Sequence, residues 1–204
     1  AGHWLLFAQE VSIRDHHTLD DDVKMYFLNQ SVAMDAFIAA WDSKMHYDYG
    51  RPIMFIREMY KGETITGWKG PGQGFGEIKG EEWIPYSPDV FPCPPFPGYV
   101  SGHSCISGGC AEALRLFTGS DEFHSKVDLV AKSMTEPDHL GEKVTLEFPT
   151  FTETAEMAGI SRVLGGYHIQ ADNVIGLELG RNVAREVFRK FKYYIGETDH
   201  LGTH

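Results

Sequence analysis

Apolar residues recur at helical spacing along most of the chain, and glycine, proline and acidic clusters mark where each run stops. The pattern predicts a short helix from Trp4 to Ile13. Val23, Phe27, Met34, Ile38, Trp41 and Met45 then recur at helical spacing, three, four or seven positions apart, which predicts a long helix from Leu19 to Tyr47. Its core-facing residues are expected to include Phe27, Phe37 and Trp41. Thr18 and Asp21 have the spacing of a capping box, and Asp20 to Asp22 suit the positive end of a helix. Gly50 stops the run and Pro52 suits the first position of a new helix, which leaves Arg51 in the corner between them.

Further helices are expected at 101–117, 121–134, 152–164 and 168–192, with Gly165-Gly166 separating the last two. Between the helices, 61–100 reads as a long loop, and 135–150 as a second loop holding a short strand at 144–148. A loop as long as the first, inside a compact domain, usually forms the wall or lid of a site. Six or seven helices and little else predict an all-α fold: one helical-bundle domain spanning residues 1–204.

Composition narrows the function. The 204 residues carry a formal net charge of −11, which argues against nucleic acid or an anionic membrane as the partner. An anion site in such a chain has to be a local positive pocket. No segment reaches the roughly 18 apolar residues that a membrane span needs, so a soluble chain is expected, with secreted or periplasmic residence left open. The three cysteines, Cys93, Cys105 and Cys110, lack zinc-like spacing. The Gly70 to Gly76 run lacks the Lys-Ser/Thr ending of a phosphate-binding loop.

Three segments carry chemistry. Lys44 is followed, after six residues, by Arg51-Pro52. Ser101-Gly102-His103 sits where a helix begins, offering a hydroxyl, a backbone amide and an imidazole to one point. Ser161-Arg162 precedes His168 by five residues, and Asp172 follows His168 by three more, which places imidazole and carboxylate on one helical face. That carboxylate can fix the tautomer of His168 and leave its other nitrogen free. Each segment alone also fits a plainer reading, namely a capped helix, a surface cation or a helix-start pair. Together they hold what is needed to bind a tetrahedral oxyanion and move protons around it.

In this order, Lys-x6-Arg-Pro, Ser-Gly-His and Ser-Arg-x5-His-x3-Asp resemble the signature shared by type 2 phosphatidic-acid phosphatases, bacterial class A acid phosphatases and vanadium-dependent haloperoxidases. The runs from Ala39 to Tyr49 and from Pro94 to Tyr99 are most similar to those of vanadium chloroperoxidase-like proteins, with Phe96 where bromoperoxidases carry a histidine. The resemblance implies a helical bundle like the C-terminal, catalytic half of a vanadium haloperoxidase. It implies that His168 binds vanadate, that Lys44, Arg51 and Arg162 neutralise its oxygens with Ser101 and the Gly102 amide, and that His103 takes a proton from hydrogen peroxide. Lys44 would then polarise the peroxide toward halide attack, giving hypohalous acid. Asp172 and Phe96 would support the site from behind. Phosphate fits the same cradle, and the alternative is an acid phosphatase working through a phosphohistidine on His168.

Three positions depart from the family pattern. Val100 stands in place of a proline, Ser104 in place of the alanine of well-known haloperoxidases, and Gly50 in place of a tryptophan, which is expected to open one wall of the pocket. The relatives are two bundles in tandem, so the resemblance implies self-association or association with an N-terminal half, and a carboxylate partner for His103 outside this chain.

Overall fold

The computed structural model describes residues 2–87, 92–129 and 144–197. Six α-helices dominate: α1 (Gly2–Arg14), α2 (Leu19–Tyr47), α3 (Pro52–Met59), α4 (Gly102–Thr118), α5 (Phe151–Leu164) and α6 (Gln170–Tyr194). Two antiparallel ribbons complete the fold, β1 (Thr64–Trp68) with β2 (Phe75–Lys79), and β3 (Glu122–Leu129) with β4 (Val144–Thr150). The all-α helical bundle expected from the sequence is therefore the fold, with the ribbons as appendages.

Helix α4 is the axis. It packs against α1, α2, α5 and α6. Its approach to α6 depends on small residues. A Cβ at Gly108 would meet the Leu177 carbonyl, and one at Gly180 would run into that of Cys105. The two backbones thus lie closer than most side chains allow. Trp4, Val11, Met25, Cys105, Leu114 and Phe151 are among the residues that fill the main core. Full burial of such a side chain is worth about 1.5–3 kcal/mol.

The ends of α2 follow the sequence signals. Thr18 and Asp21 form the reciprocal capping box, and Asp48 closes the helix in the left-handed conformation. Its inward face does not. The buried residues are Met25, Leu28, Asn29, Val32, Ala33, Ala36, Ala40 and Lys44. Phe27 is 60% and Phe37 44% exposed, and Val23, Met34, Ile38 and Met45 also face outward. The helix is apolar on two sides, and the periodicity alone selected the bulkier one.

Two other expectations are corrected. The segment predicted as a helix from 121 begins with strand β3, paired from Glu122 to Leu129 with β4; its remainder lies outside the described residues, as does most of the second loop. Phe123 and Ser125 alternate inward, a period-two signal that pairing with β4 made decisive. Within the predicted long loop, Gly70, Gly72 and Gly74 take positive φ and make the turn that lets β1 and β2 pair.

Candidate active site

The three chemical segments meet at one cavity of about 840 Å³, whose wall includes Lys44, Arg51, Phe96, Gly102, His103, Arg162 and His168. Lys44 comes from the last turn of α2 and Arg51 from the N-cap of α3. Gly102 and His103 form the first turn of α4, Arg162 lies in the last turn of α5, and His168 precedes α6.

Lys44 and Arg51 are 1% and 4% exposed. Both are anchored by carbonyls of the Phe96–Gly98 segment. Lys44 Nζ donates to the oxygens of Pro97 (2.8 Å) and Gly98 (2.9 Å), and Arg51 Nε to that of Phe96 (3.0 Å). The Phe96 ring lies 5.4 Å from Lys44 Nζ and 5.0 Å from Arg51 Cζ, so its face backs both cations. Arg162 is half-buried, with its guanidinium 4.1 Å from the centre of the Tyr167 ring.

His168 is oriented from both sides. Its Nδ1 lies 2.9 Å from Asp172 Oδ2, and its Nε2 lies 3.2 Å from Arg51 Nη1. A guanidinium can only donate, so Nε2 must present its lone pair and Nδ1 must carry the proton. The tautomer is thereby set, with the unprotonated nitrogen on the cavity side. The helical-face argument for this pair needs amendment. His168 lies outside α6, whose N-cap is Ile169, while Asp172 is in its first turn. Asp172 Oδ2 also accepts from the Ile169 amide (3.4 Å), so the carboxylate caps the helix and holds the imidazole together.

Ser101 caps α4 by accepting from the Ser104 amide at 3.3 Å, and it is fully buried behind the cavity wall. Ser104 itself points away, donating to Asn173 Oδ1 at 2.8 Å. Gly102 lies close under the Trp41 ring, which a Cβ there would meet at 3.2 Å, so a larger residue would push the ring aside by a few tenths of an ångström. Gly50 opens no wall, because Phe55 already fills the space beside it at 3.0 Å from a would-be Cβ. Val100 is fully buried in the core.

Among the described residues, the electrostatics follow from three cations around one carboxylate. Burial, and next the repulsion of Arg51, push Lys44 down to about 8. Burial lowers Arg51 and Arg162 as well. His103 is pushed down to about 4, first by its enclosure among the cavity walls and then by Arg162. Its ring still meets solvent in the cavity. Burial also lowers His168, against the opposing hydrogen bond that its Nδ1–H donates to Asp172. At neutral pH both imidazoles are neutral and the pocket carries excess positive charge. A positive pocket of this kind, with a neutral imidazole lone pair aimed into it and helix amides at its edge, fits a tetrahedral oxyanion such as vanadate or phosphate.

Comparison with known proteins agrees with this geometry. A sequence model of the VCPO second helical-bundle domain matches residues 24–197. The chain belongs to that family. Among solved structures it is similar to a holo-type bacterial vanadium-dependent chloroperoxidase, with a TM-score of 0.82 and 26% identity over 93% of this chain and 41% of the other. The apo-type chloroperoxidase gives 0.79 and 26% over 87% and 38%. A bacterial vanadium-dependent iodoperoxidase gives 0.67 and 26% over 92% and 38%. The chain thus spans about two fifths of the length of these proteins. A comparison with curated sequences returned no match.

Several residues at the site escaped the sequence. Trp41 packs against both Gly102 and Phe96, the latter at 5.2 Å between ring centres; its place one turn before Lys44 was the available signal. Cys93 lies close enough to Arg51 and Arg162 to feel both charges, although burial raises its thiol pKa. The carbonyls that hold Lys44 carry no sequence signal, because any residue supplies one.

Proposed function

We propose that this chain is the vanadate-binding, catalytic bundle of a haloperoxidase, using hydrogen peroxide to oxidise halide to hypohalous acid. One observation carries the reading: Lys44, Arg51 and Arg162 surround a cavity lined also by His168, whose Nε2 lies on the cavity side, with Asp172 the one carboxylate beside them among the described residues. Buried charges of one sign call for an ion of the other.

His168 Nε2 would hold vanadate, and Asp172 would keep that nitrogen unprotonated and aimed. Lys44, Arg51 and Arg162 would neutralise the ion's oxygens, with the Gly102 amide as a further donor and Ser101 holding that end of α4 by its cap. When bound, vanadate supplies Lewis acidity that activates peroxide toward halide. His103 is the neutral base that accepts a proton from incoming peroxide. It has no hydrogen-bond partner among the described residues, so its basicity responds directly to charge in the cavity. An anion in the cradle raises it from about 4 toward the working pH. Lys44, still protonated near neutrality, stabilises negative charge as it develops.

The test is a paired assay on the purified chain, alone and with any N-terminal half. Peroxide-dependent bromination or chlorination that appears only with added vanadate supports the reading. Hydrolysis of p-nitrophenyl phosphate without vanadate, and no halogenation with it, would replace it with a phosphatase acting through a phosphohistidine on His168.

A further inference from the structure

Arg51 and Arg162 line one cavity, and like charges at close quarters repel, so the fold has to hold their spacing. Tyr167 reaches both. Its carbonyl accepts from Arg51 Nη1 at 3.1 Å. Its amide donates to the Arg162 carbonyl at 3.1 Å, and the centre of its ring lies 4.1 Å from Arg162 Cζ. That is a stacking distance for a guanidinium on an aromatic face, and such a contact strengthens where water is excluded. Tyr167 is 3% exposed and is not part of the cavity wall, so whatever it does there it does through the two arginines.

The Gly165-Gly166 pair is more than a break between helices. A Cβ at Gly165 would meet the Tyr167 ring at 3.2 Å, so this position leaves room for the ring to fold back under Arg162. Gly166 takes φ +77° and turns the chain toward Arg51. The Trp83 ring closes over that turn, 2.9 Å from a would-be Cβ on Gly166. Arg57 Nε in turn donates to the Trp83 carbonyl at 2.8 Å. Helix α3, whose N-cap is Arg51, thereby also braces the turn that carries Tyr167.

We propose that Tyr167 is a positioning residue of the cradle. Its ring carries Arg162, its carbonyl carries Arg51, and the spacing so fixed sets the affinity for a tetrahedral oxyanion. This rests on the anion-cradle reading of the site. The hydroxyl takes no part, so another aromatic ring should serve and an aliphatic side chain should not.

The probe is inorganic sulfate, titrated calorimetrically into the parent chain, Tyr167→Phe and Tyr167→Leu. Affinity should stay within about twofold in Tyr167→Phe and fall at least about tenfold in Tyr167→Leu. The Arg162 side-chain signals in proton–nitrogen NMR, assigned by their loss in Arg162→Lys, should lie upfield in the parent and in Tyr167→Phe, as protons over a ring face do. In Tyr167→Leu they should return to ordinary positions, a change that a merely structural role would not produce. Equal sulfate affinity in the parent and Tyr167→Leu, or a loss in Tyr167→Phe as large as in Tyr167→Leu, overturns the proposal. If Tyr167→Leu does not fold, the other two chains decide: upfield Arg162 signals and matched sulfate affinity support it, and ordinary Arg162 positions overturn it. A parent with upfield Arg162 signals but no saturable sulfate binding removes the cradle reading, and the affinity claim with it, while the contact stands.

Discussion

At the scale of single residues, each role has a distinct signature. His168→Ala should abolish vanadate binding, because it removes the imidazole nitrogen that Asp172 and Arg51 hold in place at the cradle, while His103→Ala should leave binding largely intact and lose turnover. Equilibrium vanadate titration of both variants decides this, and equal loss in both would undo the assignment. Asp172→Asn should weaken vanadate by about 10–100-fold, since the amide no longer fixes the imidazole's proton on Nδ1. Lys44 makes the site sensitive to alkali. Its lowered pKa means that it is charged below about 8 and neutral above. An anion favours the charged form, so affinity should be flat at lower pH and fall as pH rises through that value, by at most about tenfold per unit. Sulfate, whose own charge is constant over this range, is the suitable probe. The Lys44→Met variant should bind more weakly and lose the slope.

At the scale of elements, the site depends on how closely α4 and α6 approach. Ser101 opens α4 and Asp172 lies in the first turn of α6, and the Ser101 amide donates to the Asp172 carbonyl at 3.0 Å. The contact between Gly180 and the Cys105 carbonyl sets this approach from within the bundle. Gly180→Ala should therefore destabilise the fold by about 1–3 kcal/mol, as measured by chemical denaturation, through overpacking rather than any loss at the cavity. Unchanged stability would mean that the helices can separate freely. Neither glycine pair was visible as a packing device in the sequence. A glycine in a helix reads only as a weak helix former, and its value depends on the partner helix.

At the scale of the whole molecule, the outward face of α2 stands out for its exposed apolar side chains. Val23, Phe27, Met34, Ile38 and Met45 follow one another at alternating intervals of four and seven residues, the spacing of a seam between helices. Phe27 and Met34 are 60% and 62% exposed. Such a stripe is more than a monomer usually leaves to water. The chain should self-associate or associate with an N-terminal half, and Phe27→Glu with Met34→Glu should weaken that association. Light scattering checks it. A monodisperse parent species of about 23 kDa without a partner would show that the stripe is tolerated in water. No helix among the described residues is long and apolar enough to cross a membrane.

The limits of α2, the proline start of α3, the cap of α4 and the three segments that meet at the cavity were all legible in the sequence by itself. Their causes are local or set by the chemistry of the side chain: capping, proline geometry, glycine breaks, and cations at a spacing that suits an oxyanion. Only the tertiary structure decided which apolar face of α2 is buried, because both faces satisfy helical periodicity and the choice belongs to the helices packed against it. It also decided that β3 is a strand, since pairing with β4 supplies hydrogen bonds that no local preference encodes. The apolar wall of the cavity is of the same kind. Trp4, Leu146 and Met157 lie far apart in the chain and become one wall only when α1, β4 and α5 close around α4.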